Sequence, residues 1–332
     1  MAEQQPNHRE STPVTAALRR AAEDATRAPS VLNTQPWRWQ IHDDVLELHA
    51  DPARQLTAID PEGRLLTLSC GAALHHARVS LAAAGHEAAV ERLPDPDRPL
   101  LLARVVVGPP RPAAREDLAA YESIRRRRTE RRPFGSTAAV TADSLAVLRA
   151  AAEAQHARLH RIRPGDLDYL RYAARAAHTI EAKEERHLAE QRAWTHRGPH
   201  AADGISPGTV AASAPRPVPL RDFALDHEAA LEPGRGDDRG AEYLVLATDR
   251  DGPVDWLIAG EAASAAWLAA TAQGLAASPM SEVVEIAGAR ALLASLIDRP
   301  GHPQLVLRVG VDPDRAPHPA SPRRPPGDVI NS

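Results

Sequence analysis

Residues 28–39, Ala28 to Trp39, read A-P-S-V-L-N-T-Q-P-W-R-W, and this stretch sets the reading of the rest of the chain. Pro29 has no backbone donor and a fixed φ, so it ends any helix that reaches it, and it pushes Ala28 toward extended geometry. Ser30, Asn33, Thr34 and Gln35 then supply four polar side chains within six residues, closed off by Pro36. Trp37 and Trp39 follow with strand alternation. A helix-to-strand turn capped by Ser and Asn needs one or two such residues. An amide-rich segment clamped between two prolines suits a binding loop as well as a turn, and on these residues alone both readings stand.

Upstream, Thr12 is an expected N-cap with Pro13 at the first helical position, after a loose arm over residues 1–11. Val14, Ala17, Leu18, Ala21, Ala22 and Ala25 recur at helical spacing and predict one buried stripe. Downstream, Trp37, Trp39 and Ile41 alternate, as do Leu46, Leu48 and Ala50, with a hairpin turn at His42-Asp43-Asp44. Leu66, Cys70, Ala73, Leu74, Ala77 and Leu81 then mark a second helix ending at Gly85. Cys70 lies on that stripe and reads as core. His75 and His76 are adjacent and face different ways, which is poor metal-ligand geometry. Strands are expected near 88–93 and 100–107, then a linker at Gly108-Pro109-Pro110-Arg111-Pro112.

The segment A-P-S-x-x-N-x-Q-P-W resembles the flavin-contacting segment of the nitroreductase-like FMN enzymes. Continuing through D-P-A-R-Q-L-T-A-I-D-P-E-G-R (51–64) and L-S-C-G-A-A-L-H-H (68–76), the chain looks more narrowly like the Acg-type members of that superfamily. The resemblance implies that Ala28, Pro29, Ser30, Val31, Leu32 and Asn33 face the cofactor.

A second stretch, Tyr121 to Ser136, reads Y-E-S-I-R-R-R-R-T-E-R-R-P-F-G-S, with six arginines in eight positions. Nucleic-acid binding, a solvated helix end and anion capture all suit such a run. The patch is isolated, has no interleaved aromatics and sits in a chain of net charge −4, which argues against nucleic acid. Arginine forks match a phosphate bidentately. R-R-T-E-R-R-P-F is also similar to the R-R-S-x-R-x-F segment that opens a standard nitroreductase chain and holds the FMN phosphate. The resemblance carries that role to Arg127 and Arg128 or their neighbours, Thr129 and Arg131.

In the usual enzyme these segments come in the opposite order, and two copies of one short chain share each flavin. Here the Pro-Ser segment comes first and the Arg segment opens the second half. The expected fold is therefore α+β, with two nitroreductase-like halves fused as a single-chain pseudo-dimer, over residues 1–112 and 113–332. One composite flavin site is expected, because neither motif recurs, and the chain is expected as a monomeric pseudo-dimer or a homodimer.

The second half reads as a helix opened by Thr141, a strand over 158–162 and a long amphipathic helix over about 166–194. Thr195 to Asp222 is rich in Gly, Pro, Ser and His and is expected as a lid that brings Trp194, His196 or Arg197 near the ring. A strand over 243–248 leads to a helix capped by Asp255 and ending at Gly274-Leu275. This helix resembles the nitroreductase core helix. The loop after it, A-A-S-P-M-S, aligns with the family segment at the flavin N5 edge, which makes Pro279, Met280 and Ser281 candidates. The family's acidic residue is replaced there by Ser281. A last strand over 304–311 precedes a tail, S-P-R-R-P-P-G-D-V-I, that resembles the family's basic C-terminal segment and makes Arg323 and Arg324 phosphate candidates.

The 332 residues suffice for two domains, and 43% hydrophobic residues allow a core, although aromatics are only 3%. A single cysteine excludes an intrachain disulfide and suits a reducing compartment, and no apolar run reaches membrane-spanning length, so a cytoplasmic protein is expected. No metal ligand set, Ser-His-Asp, Walker or Rossmann signature stands out, which suits chemistry carried by a cofactor. The implied activity passes hydride from NAD(P)H to FMN and on to a nitroaromatic, quinone or similar small-molecule acceptor. The alternative is FMN storage or sequestration beneath a closed lid.

Overall fold

A computed structural model describes residues 13–135, 139–198, 200–225, 228–314 and 319–331. The Thr12 cap, the arm before it, Ser136 and Pro199 lie outside the described residues. Helix α1 (Pro13–Ala25) leads into the Pro-Ser segment, and the hairpin β1 (Trp37–His42) and β2 (Val45–Ala50) follows as expected. Asp43 adopts a φ of 51° in its turn. Then come α2 (Arg64–Ala83), β3 (His86–Arg92), β4 (Leu101–Pro110) and α3 (Arg115–Arg126). The expected linker is thus partly strand, because Gly108 to Pro110 continue β4 and pair with β3 at its edge.

The second half contains α4 (Ala142–Glu153), whose Thr141 cap accepts from the Ser144 amide, β5 (Arg158–Arg161), α5 (Leu167–Glu181) and α6 (Glu185–Thr195). The single long helix expected over 166–194 is two helices. The chain turns at Ala182–Glu184, and this lets Glu181 and His187 approach Arg221 from different helices. Both helices bury a face, so the periodicity runs through the break without marking it. Strand β6 (Glu242–Thr248) precedes α7 (Pro253–Ala272). Asp255 is not the N-cap of α7. It sits one turn inside, and its carboxylate accepts from the amide of Gly252, the residue before Pro253.

The expected loop A-A-S-P-M-S is largely strand β7 (Ala276–Met280), followed by α8 (Glu282–Glu285), α9 (Ala287–Ser295), β8 (His302–Gly310) and β9 (Ile330–Asn331). Pro279 is tolerated in β7 because this is an edge strand.

One sheet has the order β3-β4-β2-β1-β9 and the other β5-β6-β8-β7. Pairing is antiparallel except for β9, the end of the chain, which lies parallel to β1. The second sheet is buried on both faces. Leu244, Leu246, Leu305 and Leu307 meet α4 and α7, while Tyr243, Val245, Val306 and Met280 meet α5, α8 and α9.

Helices α2 and α7 each lie on one sheet and cross each other, and they are buried on nearly all faces. The crossing needs glycine. A Cβ on Gly71 would stand 2.0 Å from the Leu257 oxygen, and one on Gly260 would stand 1.9 Å from the Leu68 oxygen. Cys70 is fully buried with Sγ 3.2 Å from the Pro36 oxygen, and burial pushes its thiol pKa up. No helix among the described residues is long and apolar enough to cross a membrane.

Candidate functional site

The Pro-Ser segment is a short 3₁₀ turn, Val31–Asn33, held in a costly conformation. Leu32, Asn33 and Gln35 have φ of 43°, 55° and 50°, in the left-handed region that bulky L-residues avoid. Three non-glycine residues there within four positions persist only where surrounding contacts over-determine them. Those contacts are visible. The Ser30 hydroxyl accepts from the Gln35 amide at 2.9 Å, and the Ser69 hydroxyl on α2 accepts from the Val31 amide at 3.1 Å. Asn33 donates to the Gly204 oxygen at 2.9 Å and its own Oδ1 accepts from Arg323 at 2.8 Å.

The segment forms one wall of a cavity that also takes residues from α2, α7, β7 and the tail. Pro29, Ser30, Val31, Leu32 and Asn33 line it. Leu65, Leu68, Ser69 and Ala72 of α2 and Ala263 and Trp267 of α7 form its floor. From the Arg-rich segment come Arg127, Thr129 and Arg131, from the end of β7 Ser278, Pro279 and Ser281, and from the tail Ser321 and Arg323. The Arg segment reaches β7 by pairing: Thr129 bridges Ala277, and the Glu130 amide donates to the Ala277 oxygen at 3.0 Å. Residues from distant parts of the sequence therefore converge on one hollow.

A smaller hollow shares Arg127, Thr129, Ser321 and Arg323 with the cavity and is lined also by Arg27, Arg125 and Arg128, with no carboxylate among its lining residues. Arg127 is buried and stacked 4.6 Å from the Trp267 ring, with no partner among the described residues for Nε or Nη1. Burial first, then the charges of Arg323 and Arg128, press its pKa down to about 9. Arg323 is pressed down to about 10 by burial and by Arg128 and Arg27. Arg131 stacks 4.8 Å from Phe223, has no partner for Nε among the described residues, and is pressed down to about 10 by burial. Buried guanidiniums lacking a carboxylate are costly, and a bound anion with several acceptor oxygens offsets that cost. The donor set fits a phosphate.

Four residues expected at the site lie off the cavity wall. Ala28 is packed in the first core. Arg128 lines only the small hollow and donates to the Arg125 and Arg127 oxygens. Met280 is fully buried on the far face of β7. Arg324 braces the Pro-Ser segment, donating to the Gln35 oxygen at 3.2 Å. The segment after α6 also differs from expectation. Trp194 does not line the cavity: Arg197 and Arg54 stack on its ring at 4.3 and 5.4 Å, and Arg197 reaches Asp203. His196 turns back to the Arg192 oxygen. The residues from that region that do line the cavity are Ile205, Arg221 and Phe223. Sequence reasoning also missed Arg27, Ser69, Trp267, Glu282 and Ser321. Of these, Arg27 directly precedes the Pro-Ser segment, Ser69 lies inside the 68–76 stretch, Glu282 directly follows A-A-S-P-M-S and Ser321 opens the tail motif, so a motif borders each of them, whereas none borders Trp267.

A model of the nitroreductase family matches residues 124–311. The chain belongs to the nitroreductase family. That match includes the Arg segment and β7 and excludes the Pro-Ser segment. Curated relatives extend over nearly the whole chain. "Putative NAD(P)H nitroreductase Rv3131" from Mycobacterium tuberculosis H37Rv is 39% identical over 92% of this chain and 88% of its own. "Putative NAD(P)H nitroreductase acg" from the same organism is 35% identical over 96% of each. Among solved structures, the FMN-dependent nitroreductase NfnB from Mycobacterium smegmatis in complex with NADPH matches 65% of this chain and 98% of that chain, at 17% identity and a TM-score of 0.41.

Proposed function

We propose that this nitroreductase is an FMN-dependent NAD(P)H oxidoreductase with one composite cofactor site per chain. The observation that carries the reading is the arginine-lined hollow beside an apolar cavity, where Arg127 keeps two buried donor nitrogens without a partner among the described residues. Arg127, Arg128, Arg323 and Thr129 would hold the phosphate, and the Pro29–Asn33 turn with Ser278, Pro279 and Ser281 would border the ring system. Bound there, FMN would supply two-electron chemistry between NAD(P)H and a nitroaromatic, quinone or similar acceptor. A second cavity shares Arg131, Phe223, Pro279 and Glu282 with the first and would take the reacting partner. The reciprocal contact of Gly71 with Leu257 and Gly260 with Leu68 supports two fused halves, because in an isologous contact residue i meets the equivalent of j while j meets the equivalent of i.

A specific observation favours sequestration as the second reading. Ala202 and Gly204 of the proposed lid accept from Gln35 and Asn33 at 2.8 and 2.9 Å, so the lid is tied to the Pro-Ser segment. An anaerobic titration of the FMN-loaded protein with NADPH and with NADH separates the two. Bleaching of the oxidised flavin band within seconds is the expected result. A band that persists under excess of both makes the protein a flavin store, and a chain that takes up no FMN overturns both readings.

A further inference from the structure

Behind the cavity wall lies a buried group of ionisable side chains that the cofactor reading leaves unused. Glu282 opens α8 and lines both cavities. Glu181 and His178 face it from α5, Arg221 from the lid segment and Glu285 from its own helix, while His187 of α6 stands against Glu181 and Asp222 against His178. Arg221 is committed: it bonds Glu181 at 2.8 Å and also Glu285. Glu282 is therefore left without a counter-ion of its own. Its Oε1 is buried with no hydrogen-bond partner among the described residues, and the same is true of His178 Nε2, which stands 4.0 Å away. That gap is one small rotation or one bridging water from a hydrogen bond. His178 sits in the last turn of α5 with about a quarter of its side chain exposed, 27%. The order from inside outward is cavity, Glu282, His178, solvent.

We propose that Glu282 and His178 form a proton wire that carries a solvent proton into the cavity, with Glu282 handing it to the substrate being reduced there. The proposal rests on the oxidoreductase reading above. Hydride transfer to a quinone delivers two electrons and one proton, so neutral hydroquinone requires one proton more. With a hydride equivalent delivered to one oxygen of a quinone, the chemistry that FMN would supply in this site, the second oxygen is left as an oxyanion. That oxyanion takes the proton as the Glu282 O–H bond breaks. The Glu282 carboxylate then takes the His178 Nε2 proton while Nδ1 takes one from solvent, which restores the acid and leaves His178 as its Nδ1–H tautomer, and proton exchange with solvent returns the imidazole to the Nε2–H form. A neutral imidazole can do this because it accepts on one nitrogen as it donates from the other.

The electrostatics suit the roles. Burial, with Glu181 and Glu285 adding to it against Arg221, raises the Glu282 pKa to about 7, so the acid is part protonated at neutral pH. Burial and Arg221 lower that of His178 to about 4, so it stands neutral.

Two arms test the wire. In the first, the FMN-loaded protein is reduced with dithionite and mixed anaerobically with menadione at several pH values. Glu282→Gln should slow reoxidation roughly a hundredfold, the usual worth of a positioned general acid, and abolish its pH dependence. His178→Phe should slow it less, and added imidazole should restore the rate. In the second arm, infrared spectra of the protein without turnover should show a protonated-carboxyl band that titrates near neutral pH. That band should be absent in Glu282→Gln, and its hydrogen–deuterium exchange should be slower in His178→Phe. Reoxidation of Glu282→Gln at the unaltered rate, or no such band, overturns the wire. Failure of both nicotinamides to reduce the flavin overturns the oxidoreductase reading instead, and the infrared arm still decides the wire.

Discussion

Arg127 carries opposing demands that a single substitution separates. Its guanidinium is buried against Trp267 beside two other arginines, and no carboxylate balances it. In the free protein this cation is a liability, and with a phosphate bound it is a ligand. Arg127→Leu should therefore lower FMN affinity by about 10–100-fold, the worth of one or two charge-assisted hydrogen bonds. It should also raise the urea stability of the free protein by about 1–3 kcal/mol. Flavin fluorescence titration and urea unfolding check the two signs. Lower stability with unchanged affinity would make Arg127 a support for Trp267 instead. Glu282 gives a second residue-scale prediction. Its folded pKa of about 7 lies above the ordinary 4.5, so the folded state holds the extra proton between those values. Stability from this group is present below about pH 4.5 and is lost as pH rises through 7, by up to roughly 3 kcal/mol. His75 acts oppositely: burial lowers its pKa to about 3, so it costs stability as pH falls below the ordinary 6.5. The difference between the native chain and Glu282→Gln isolates the first effect. The variant should be the more stable above pH 7, and the gap should close toward pH 4.5.

Elements show what was legible in the chain and what was not. The hairpin was readable because Trp37, Trp39 and Ile41 alternate and Asp43 takes the turn's positive φ. The helix break at Ala182–Glu184 was not, because Leu170, Ala174, Ala177, His187 and Gln191 all face inward on two helices that lack a proline or glycine between them. Strand β7 was hidden by Pro279, which reads as loop until the strand is known to lie at an edge. The motifs located most of the cavity wall, but Trp267 was invisible because its placement depends on packing between halves. The all-round burial of α2 and α7 was legible only as Ala and Gly content, and its meaning is the crossing itself. Gly71→Ala places a methyl 2.0 Å from a backbone oxygen that no rotamer change can relieve. It should destabilise the protein by about 3 kcal/mol, the upper part of the overpacking range, in calorimetry or urea unfolding. A stability within error of the native chain would mean that the two helices can separate freely.

At the scale of the molecule, the glycine crossing carries information about cofactor number. Gly71 meets Leu257 as Gly260 meets Leu68, so one constant offset in sequence relates α2 to α7. By the same offset, two residues that line the cavity, Ala72 and Trp267, fall on Glu261 and Arg78. A fused pair of equivalent halves would carry a second cavity at those positions. Instead, Glu261 is fully buried there and bonds Arg78 at 2.5 Å and Arg92 at 2.6 Å, with Arg78 also reaching Gln155. An ion cluster stands where the first cavity has a small residue and a flat ring, with Arg78 and Gln155 bordering a separate hollow, and neither the Arg run nor the Pro-Ser segment recurs to build the rest of a site. Reconstituted protein should therefore bind one FMN per chain, measured as flavin released on denaturation against chain concentration. Two per chain would sink both the filled-site argument and the composite-site reading. The cluster also has a stability signature. Removing its shared acid leaves two partly buried guanidiniums facing each other, so Glu261→Ala should cost roughly 3 kcal/mol or more without opening a second binding event. A variant that instead took up a second flavin would show that the cluster merely occupies a site the fold still retains.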